Sequence, residues 1–241
     1  MESQTAQTNE TVSIYLLAGV ATAPHFFHKC CETVEQLSRQ SGWKSRVRVL
    51  FPYGDNSRSV YAQVGEVAGD LTQRFTGFCV GGRYVAQQIR DTYEGEPLIL
   101  IGHSGGGAAA YQAIRILSKE RKLGEYRIIQ IGSPKVPIHP DYRRHVYYIH
   151  LVDVNGKFID PITRLGSWGG WTASRFKLPS WNNRKYAPGH VEGLTLVGGH
   201  ADYLRHDHPF VDTEQVSNME RTLGRAWQWL HDSMPRRTMA E

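Results

Sequence analysis

Cysteine is scarce: three occur, Cys30 and Cys31 side by side and Cys79 alone. That number and spacing exclude a disulfide scaffold and a cysteine-based zinc site, and fit free thiols in a reducing compartment. No apolar run reaches the ~18 residues that a membrane-spanning helix needs. Residues 14–23 are apolar enough to resemble a secretory leader, but no Lys or Arg stands before Lys29. The positive segment that such a leader requires is missing, so a cytoplasmic location is expected. Charge of one sign is also lacking. Lys and Arg number 28 against 23 Asp and Glu, scattered mostly singly or in pairs. The densest spot, 141–145, is short and has no nucleic-acid-binding motif beside it, so no nucleic-acid partner is expected.

What remains is a chain of 241 residues, 40% hydrophobic and 21% charged. That is enough for one globular domain over residues 1–241 with a substantial core. Short apolar runs at 12–17, 46–51, 98–101, 126–131, 146–152 and 194–197 read as strands. Stretches with helical spacing separate several of them: 25–39, 57–75, 84–93, 104–120 and, at the end, 213–231. Strands alternating with helices predict an α/β fold, a mostly parallel sheet covered on both faces. Residues 157–192 show no clean period and read as an irregular cap or lid.

The chain is organised around Gly102-His103-Ser104-Gly105-Gly106. An apolar run stops at a glycine, a serine follows two residues later, and three glycines and three alanines come next. This fits G-x-S-x-G, in which the serine occupies a sharp strand-to-helix turn that lifts its hydroxyl clear of the sheet. Positions two before and two after it are too crowded for a side chain. The helix that begins there turns its free N–H groups toward the place where a tetrahedral oxyanion would form. The Gly105 N–H is one expected donor. The small-residue loop 18–24 after the first strand supplies the other, with Val20 the first candidate and Ala21 close behind.

A serine needs a base, and the base needs an orienting carboxylate. In a fold of this kind the order is serine, acid, histidine, each on a loop after a strand. Asp153 is the first carboxylate after the strand at 146–152 and is the expected acid, with Asp160, before Pro161, as rival. Of 11 histidines, His200 alone directly follows the apolar run 194–197 and two glycines, and is the expected base. His206 and His208 lie further along that loop, His190 precedes the run, and His103 reads as packing beside the site.

The elbow Gly102-His103-Ser104-Gly105-Gly106-Gly107-Ala108 resembles the G-H-S-x-G-G-A turn of α/β-hydrolases of the class 3, fungal-type lipase group. Ile131-Gly132-Ser133-Pro134-Lys135-Val136 is similar to that group's F-G-S-P-R-V segment, and His200-Ala201-Asp202-Tyr203 to its H-x-x-Y segment. The resemblance covers about half the chain. It implies an α/β-hydrolase fold with Ser104 as nucleophile, His200 as base and an aspartate in the Asp153 neighbourhood as acid. The chain reaches its oxyanion strand almost at once, which implies a reduced sheet.

The expected activity is a serine hydrolase cleaving a carboxylic ester or thioester, small or linked to an acyl carrier, without metal or organic cofactor. A carrier-linked thioesterase or acyltransferase shares the chemistry as far as the acyl-enzyme. A catalytically inactive hydrolase fold serving as a binding module is the other alternative. Trp168, Trp171 and Trp181, with Phe176, would line an acyl pocket or serve as glue for the cap. Lys157, Arg164, Arg175, Lys177, Arg184 and Lys185 in the same segment would favour an anionic substrate.

Overall fold

The computed structural model describes residues 10–55, 57–71, 79–120, 123–173 and 178–234. Phe75, Arg175, Phe176 and Lys177 lie outside them. Six strands form the central sheet: β1 (Glu10–Leu17), β2 (Trp43–Leu50), β3 (Leu98–His103), β4 (Tyr126–Ile131), β5 (Val146–Leu151) and β8 (His190–Leu194). Their order is β2-β1-β3-β4-β5-β8, and every neighbouring pair is parallel. Two short strands, β6 (Gly170–Ala173) and β7 (Pro179–Asn182), make a separate antiparallel hairpin. The helices are α1 (His28–Gln40), α2 (Val60–Leu71), α3 (Val80–Thr92), α4 (Gly105–Lys119) and α5 (Asn218–Ser233).

The central strands read as unbroken apolar runs because both faces of the sheet are buried. Successive side chains alternate between two cores. Ile14 and Leu16 of β1, Ile99 and Ile101 of β3 and Ile129 and Ile131 of β4 meet Val34 of α1 and Leu223 and Trp227 of α5. Tyr15, Leu17, Leu98, Leu100 and Ile128 meet Val85 and Ile89 of α3 and Ala109 and Ile114 of α4. Cys30 is buried in the first core, and Cys79 is also buried and unpaired.

Several boundaries differ from the sequence reading, each for a packing reason. Helix α3 begins at Val80, so Gly81 and Gly82 lie inside it rather than before it. A Cβ on Gly81 would lie 2.6 Å from Tyr53 Cζ, and one on Gly82 would overlap Gln112. The absence of side chains lets α3 pack tightly there. The last strand is His190–Leu194, four residues earlier than its apolar signal. It is an edge strand, and only Leu194 of its five residues is buried. Helix α5 starts at Asn218, where Ser217 and Glu220 form a capping box.

The chain passes from β1 outward to β2, then returns across β1 to β3 on the other side. Such a reversal opens a crevice at the carboxyl ends of the two central strands, the usual ligand position in an open α/β sheet. Leu17 pairs with Gly102 in register, so the loop leaving β1 and the turn leaving β3 emerge together.

Small residues at the start of α4 allow its close seat on the sheet. A Cβ on Gly106 would overlap the carbonyl oxygen of Leu17, which is backbone and cannot swing away. Gly224, exposed in mid-α5, has nothing within 4 Å of its Cβ direction. Gly106→Ala should therefore lower unfolding free energy by about 2–3 kcal/mol, whereas Gly224→Ala should raise it by about 0.5–1 kcal/mol. Urea denaturation of the two variants beside the parent checks both signs.

Candidate active site

Ser104 has φ 54° and ψ −128°, the left-handed side of backbone space that side chains avoid. A conformation of that kind costs about 1–3 kcal/mol and persists only where the surroundings impose it. They do so here. The Ser104 N–H donates to the Ile131 carbonyl at the end of β4 (2.9 Å), and the Gly107 N–H donates to the Ser104 carbonyl (3.1 Å). Gly102 faces the backbone of Gly106 and Gly107, where a Cβ would overlap main-chain atoms. The serine hydroxyl thus stands at the mouth of the β1/β3 crevice.

His200 lies on a short 3-10 turn, His200–Asp202, after Gly198 and Gly199. Its Nε2 is 2.9 Å from Ser104 Oγ and its Nδ1 is 2.9 Å from Asp160 Oδ2. The imidazole keeps 23% of its side chain exposed and the carboxylate none, so one end of this chain of contacts is open and the other sealed. Asp160 also accepts the Tyr203 hydroxyl (2.9 Å) and the Ile162 N–H (2.8 Å). Burial by itself raises its carboxyl, but the His200 hydrogen bond and charge, then Tyr203 and Ile162, outweigh that and hold it below the usual Asp range. Burial, followed by the Asp160 charge, pushes the Tyr203 phenol well up, so it stays protonated and donates. The Tyr203 oxygen in turn accepts the Leu151 N–H at the end of β5 (2.7 Å).

The carboxylate beside His200 is therefore Asp160 and not Asp153. Asp153 Oδ1 accepts the N–H groups of Asn155 (2.9 Å) and Lys157 (2.8 Å), and its carbonyl accepts that of Gly156 (2.9 Å). Its side chain is spent closing its own turn. That turn folds the chain back so that Phe158 bridges Val152, which carries Asp160 alongside the end of β5. The sequence held a usable signal: Asp at the first and Gly at the fourth position of Asp153-Val154-Asn155-Gly156 spell a β-turn.

Gly105 is the first residue of α4, where N–H groups have no partner within the helix. The loop after β1 touches the serine: a Cβ on Gly19 would lie 2.7 Å from Ser104 Cβ and 3.3 Å from its Oγ. Val20 follows directly. The Ala21 N–H is already given to Gln63 Oε1 of α2 (3.0 Å), which removes it as an oxyanion donor.

The three tryptophans divide. Trp168 is buried edge-on against Tyr148 of β5, with ring centroids 4.8 Å apart and Lys135 Nζ 5.4 Å from its ring. It packs the excursion between β5 and β8 against the sheet. Trp171 and Trp181 pair across the β6–β7 hairpin at 5.5 Å and stay more than half exposed. Among the described residues no group of His, Cys, Asp and Glu could hold a metal ion, and no helix is long and apolar enough to cross a membrane.

No protein-family model matches the chain, and no curated protein matches it. Solved structures do. The NocB thioesterase domain of the nocardicin cluster is 14% identical with a TM-score of 0.49, over 91% of this chain and 95% of that one. The RedJ thioesterase of the prodiginine pathway in Streptomyces coelicolor is 12% identical with a TM-score of 0.48, over 92% and 89%. The lin2722 gene product of Listeria innocua is 11% identical with a TM-score of 0.46, over 94% and 96%. The fold is identified from its own topology. A parallel sheet with a serine turn after β3, a carboxylate beyond β5 and a histidine beyond the last strand is the α/β-hydrolase fold.

The Asp160 carboxyl is held low in the folded state, so the stability it contributes is complete above the unfolded Asp range and is lost as pH falls through the folded value. The unfolding free energy of the parent chain relative to Asp160→Asn should therefore be larger at pH 7 than at pH 3. Denaturant titrations of both proteins at the two pH values read that difference directly.

Proposed function

We propose that this protein is a serine hydrolase that cleaves a carboxylic ester or thioester through an acyl-enzyme on Ser104. One observation carries the reading: a serine held in a strained turn is joined by two 2.9 Å contacts, through one imidazole, to a sealed carboxylate. Packing alone does not require that order of groups, and proton abstraction from a hydroxyl does.

In the first half-reaction Ser104 Oγ bonds to the substrate carbonyl carbon while its proton passes to His200 Nε2. Asp160 accepts the Nδ1–H, fixes the tautomer that leaves Nε2 free, and stabilises the imidazolium. The carbonyl electron pair moves onto oxygen, where the N–H groups of Gly105 and Val20 receive it. Collapse of the tetrahedral species breaks the bond to the alkoxy or thiol group, which leaves with the proton held by His200. In the second half-reaction a water molecule gives its proton to His200 and attacks the acyl carbon. The free acid departs and Ser104 regains its proton. No step needs a metal or an organic cofactor. The lipase-like sequence around Ser104 supports an ester of an acyl chain as substrate. The Trp171–Trp181 pair is an exposed aromatic surface on the excursion that follows Asp160, and we assign it to acyl-chain contact.

The test is mass spectrometry after exposure to a fluorophosphonate probe. A single adduct on Ser104 is expected, lost in Ser104→Ala and in His200→Ala. Asp160→Asn should lower kcat for an aryl ester by about 10⁴-fold, and Asp153→Asn should leave it within about twofold, as for a surface turn. A folded chain that takes no label would overturn the reading in favour of a binding module.

A further inference from the structure

His103 precedes the serine and is buried, and packing does not account for its chemistry. Its Nε2 lies 3.0 Å from the carbonyl oxygen of His200. A carbonyl only accepts, so Nε2 carries the proton and donates. The His103 ring stacks on the His200 ring with centroids 5.2 Å apart and planes at 26°. It also leans on Tyr203 at 5.9 Å and 58°. Its Nδ1 is buried with no hydrogen-bond partner among the described residues. An unpaired buried acceptor is costly, and a phenylalanine or leucine would fill the space without that cost. The imidazole is half satisfied, and the satisfied half points at His200.

His200 has reason to need it. The residue follows two glycines, one of them at φ 95°, which offer no side chain to hold the loop. Asp202 and Asn218 clip the far side: Gly199 N–H donates to Asp202 Oδ2 (2.8 Å), and Asn218 Nδ2 donates to the carbonyls of Val197 (2.7 Å) and Asp202 (2.9 Å). Asp160 meets Nδ1 and Ser104 Oγ meets Nε2, but two contacts on opposite sides of the ring leave it free to rotate about the line that joins them. Contact with the His103 ring sets the plane, and the Nε2–H bond sets the main chain that carries it.

We infer that His103 is a positioning residue, holding the ring and the backbone of His200 together at the angle that keeps Nε2 on Ser104 Oγ. This rests on the reading of the site as a serine hydrolase. Burial, then the neighbouring His200 charge, pushes the His103 imidazole down to about 4. When His200 takes the serine proton, the ring stacked on it therefore stays neutral.

Two variants separate the parts. His103→Phe keeps a ring and removes the donor; His103→Gln keeps an N–H and removes the ring. Each is compared with the parent on a neutral aryl ester, by fluorophosphonate labelling rate and by thermal unfolding. Misplacement of a catalytic group by a fraction of an ångström predicts a kcat loss of about 10- to 100-fold in His103→Phe, with KM within about threefold. His103→Gln should recover part of that loss, and both variants should remain folded at the assay temperature. Parent-like kcat in His103→Phe, or losses that follow only the folded fraction, would overturn the inference.

A third readout needs no turnover. In ¹⁵N-histidine-labelled protein the His200 Nδ1–H, shared with Asp160, gives a ring N–H signal protected from exchange and absent in Asp160→Asn. It should broaden in His103→Phe at equal folded fraction; an unchanged signal counts against positioning. If the parent protein takes no fluorophosphonate at all, the hydrolase reading fails. The magnetic-resonance arm then decides the His103 inference by itself.

Discussion

The close approach of α4 to the end of β1 is the contact from which the rest of the site follows. Helix α4 begins one residue after the sheet ends, and its second residue, Gly106, faces the Leu17 carbonyl without room for a Cβ. A helix placed so near its own strand forces the connecting residue into a turn too tight for right-handed backbone angles. Ser104 is that residue. The strain is offset by burial on both sides of the sheet and by the Ser104 N–H bond to β4. The same approach brings the loop after β1 against the serine, so that Gly19 has no space for a side chain either. Strain at Ser104, the glycines around it and the nearness of Val20 share one cause.

Asp160 shows how an ion can be sealed without losing its charge. Its carboxylate has no exposed surface, which by itself favours the neutral acid. Three donors oppose this, from His200, Tyr203 and Ile162. Tyr203 is the economical member of the set. Its oxygen satisfies the N–H of Leu151 at the last position of β5 and its proton satisfies Asp160. Asp160 is thereby tied to the end of β5, although the loop that bears it wanders away from β5 and back.

Much of this was legible in the sequence, and the failures have physical reasons. Alternating apolar runs and helical stripes predict the parallel sheet because burial on two faces leaves a strong pattern. The elbow is legible because steric exclusion at Gly102 and Gly106 is written directly as glycine. His200 is legible because it closes a loop after the last apolar run. The carboxylate beside His200 was less so: Asp153 was preferred and Asp160 kept as rival, because the choice depends on which carboxylate the turn at 153–156 uses for itself, a three-dimensional matter only hinted at by its Asp and Gly. Gly81 and Gly82 read as a helix boundary, since nothing local announces that Tyr53 and Gln112 occupy the space their side chains would need. Trp168 was left between pocket lining and cap glue because aromatic composition is the same for a lining and for a core.

The histidine loop has a different support from the serine turn, and the difference matters for how the site would come apart. Ser104 is held by β4 and by α4, at the end of the sheet. His200 is 96 residues further on and depends on the start of α5. Asn218, the first residue of α5, bonds both main-chain groups of Val197 and the carbonyl of Asp202, and the Met219 N–H donates to Arg205 (2.9 Å). These bonds exist only while α5 is seated, through Leu223, Trp227 and Leu230, on the core it shares with α1. The β4 and α4 bonds of Ser104 do not involve α5. Ser104 and His200 are thus carried by separate supports. The contacts that join the two supports directly are His200 Nε2 to Ser104 Oγ and His103 Nε2–H to the His200 carbonyl.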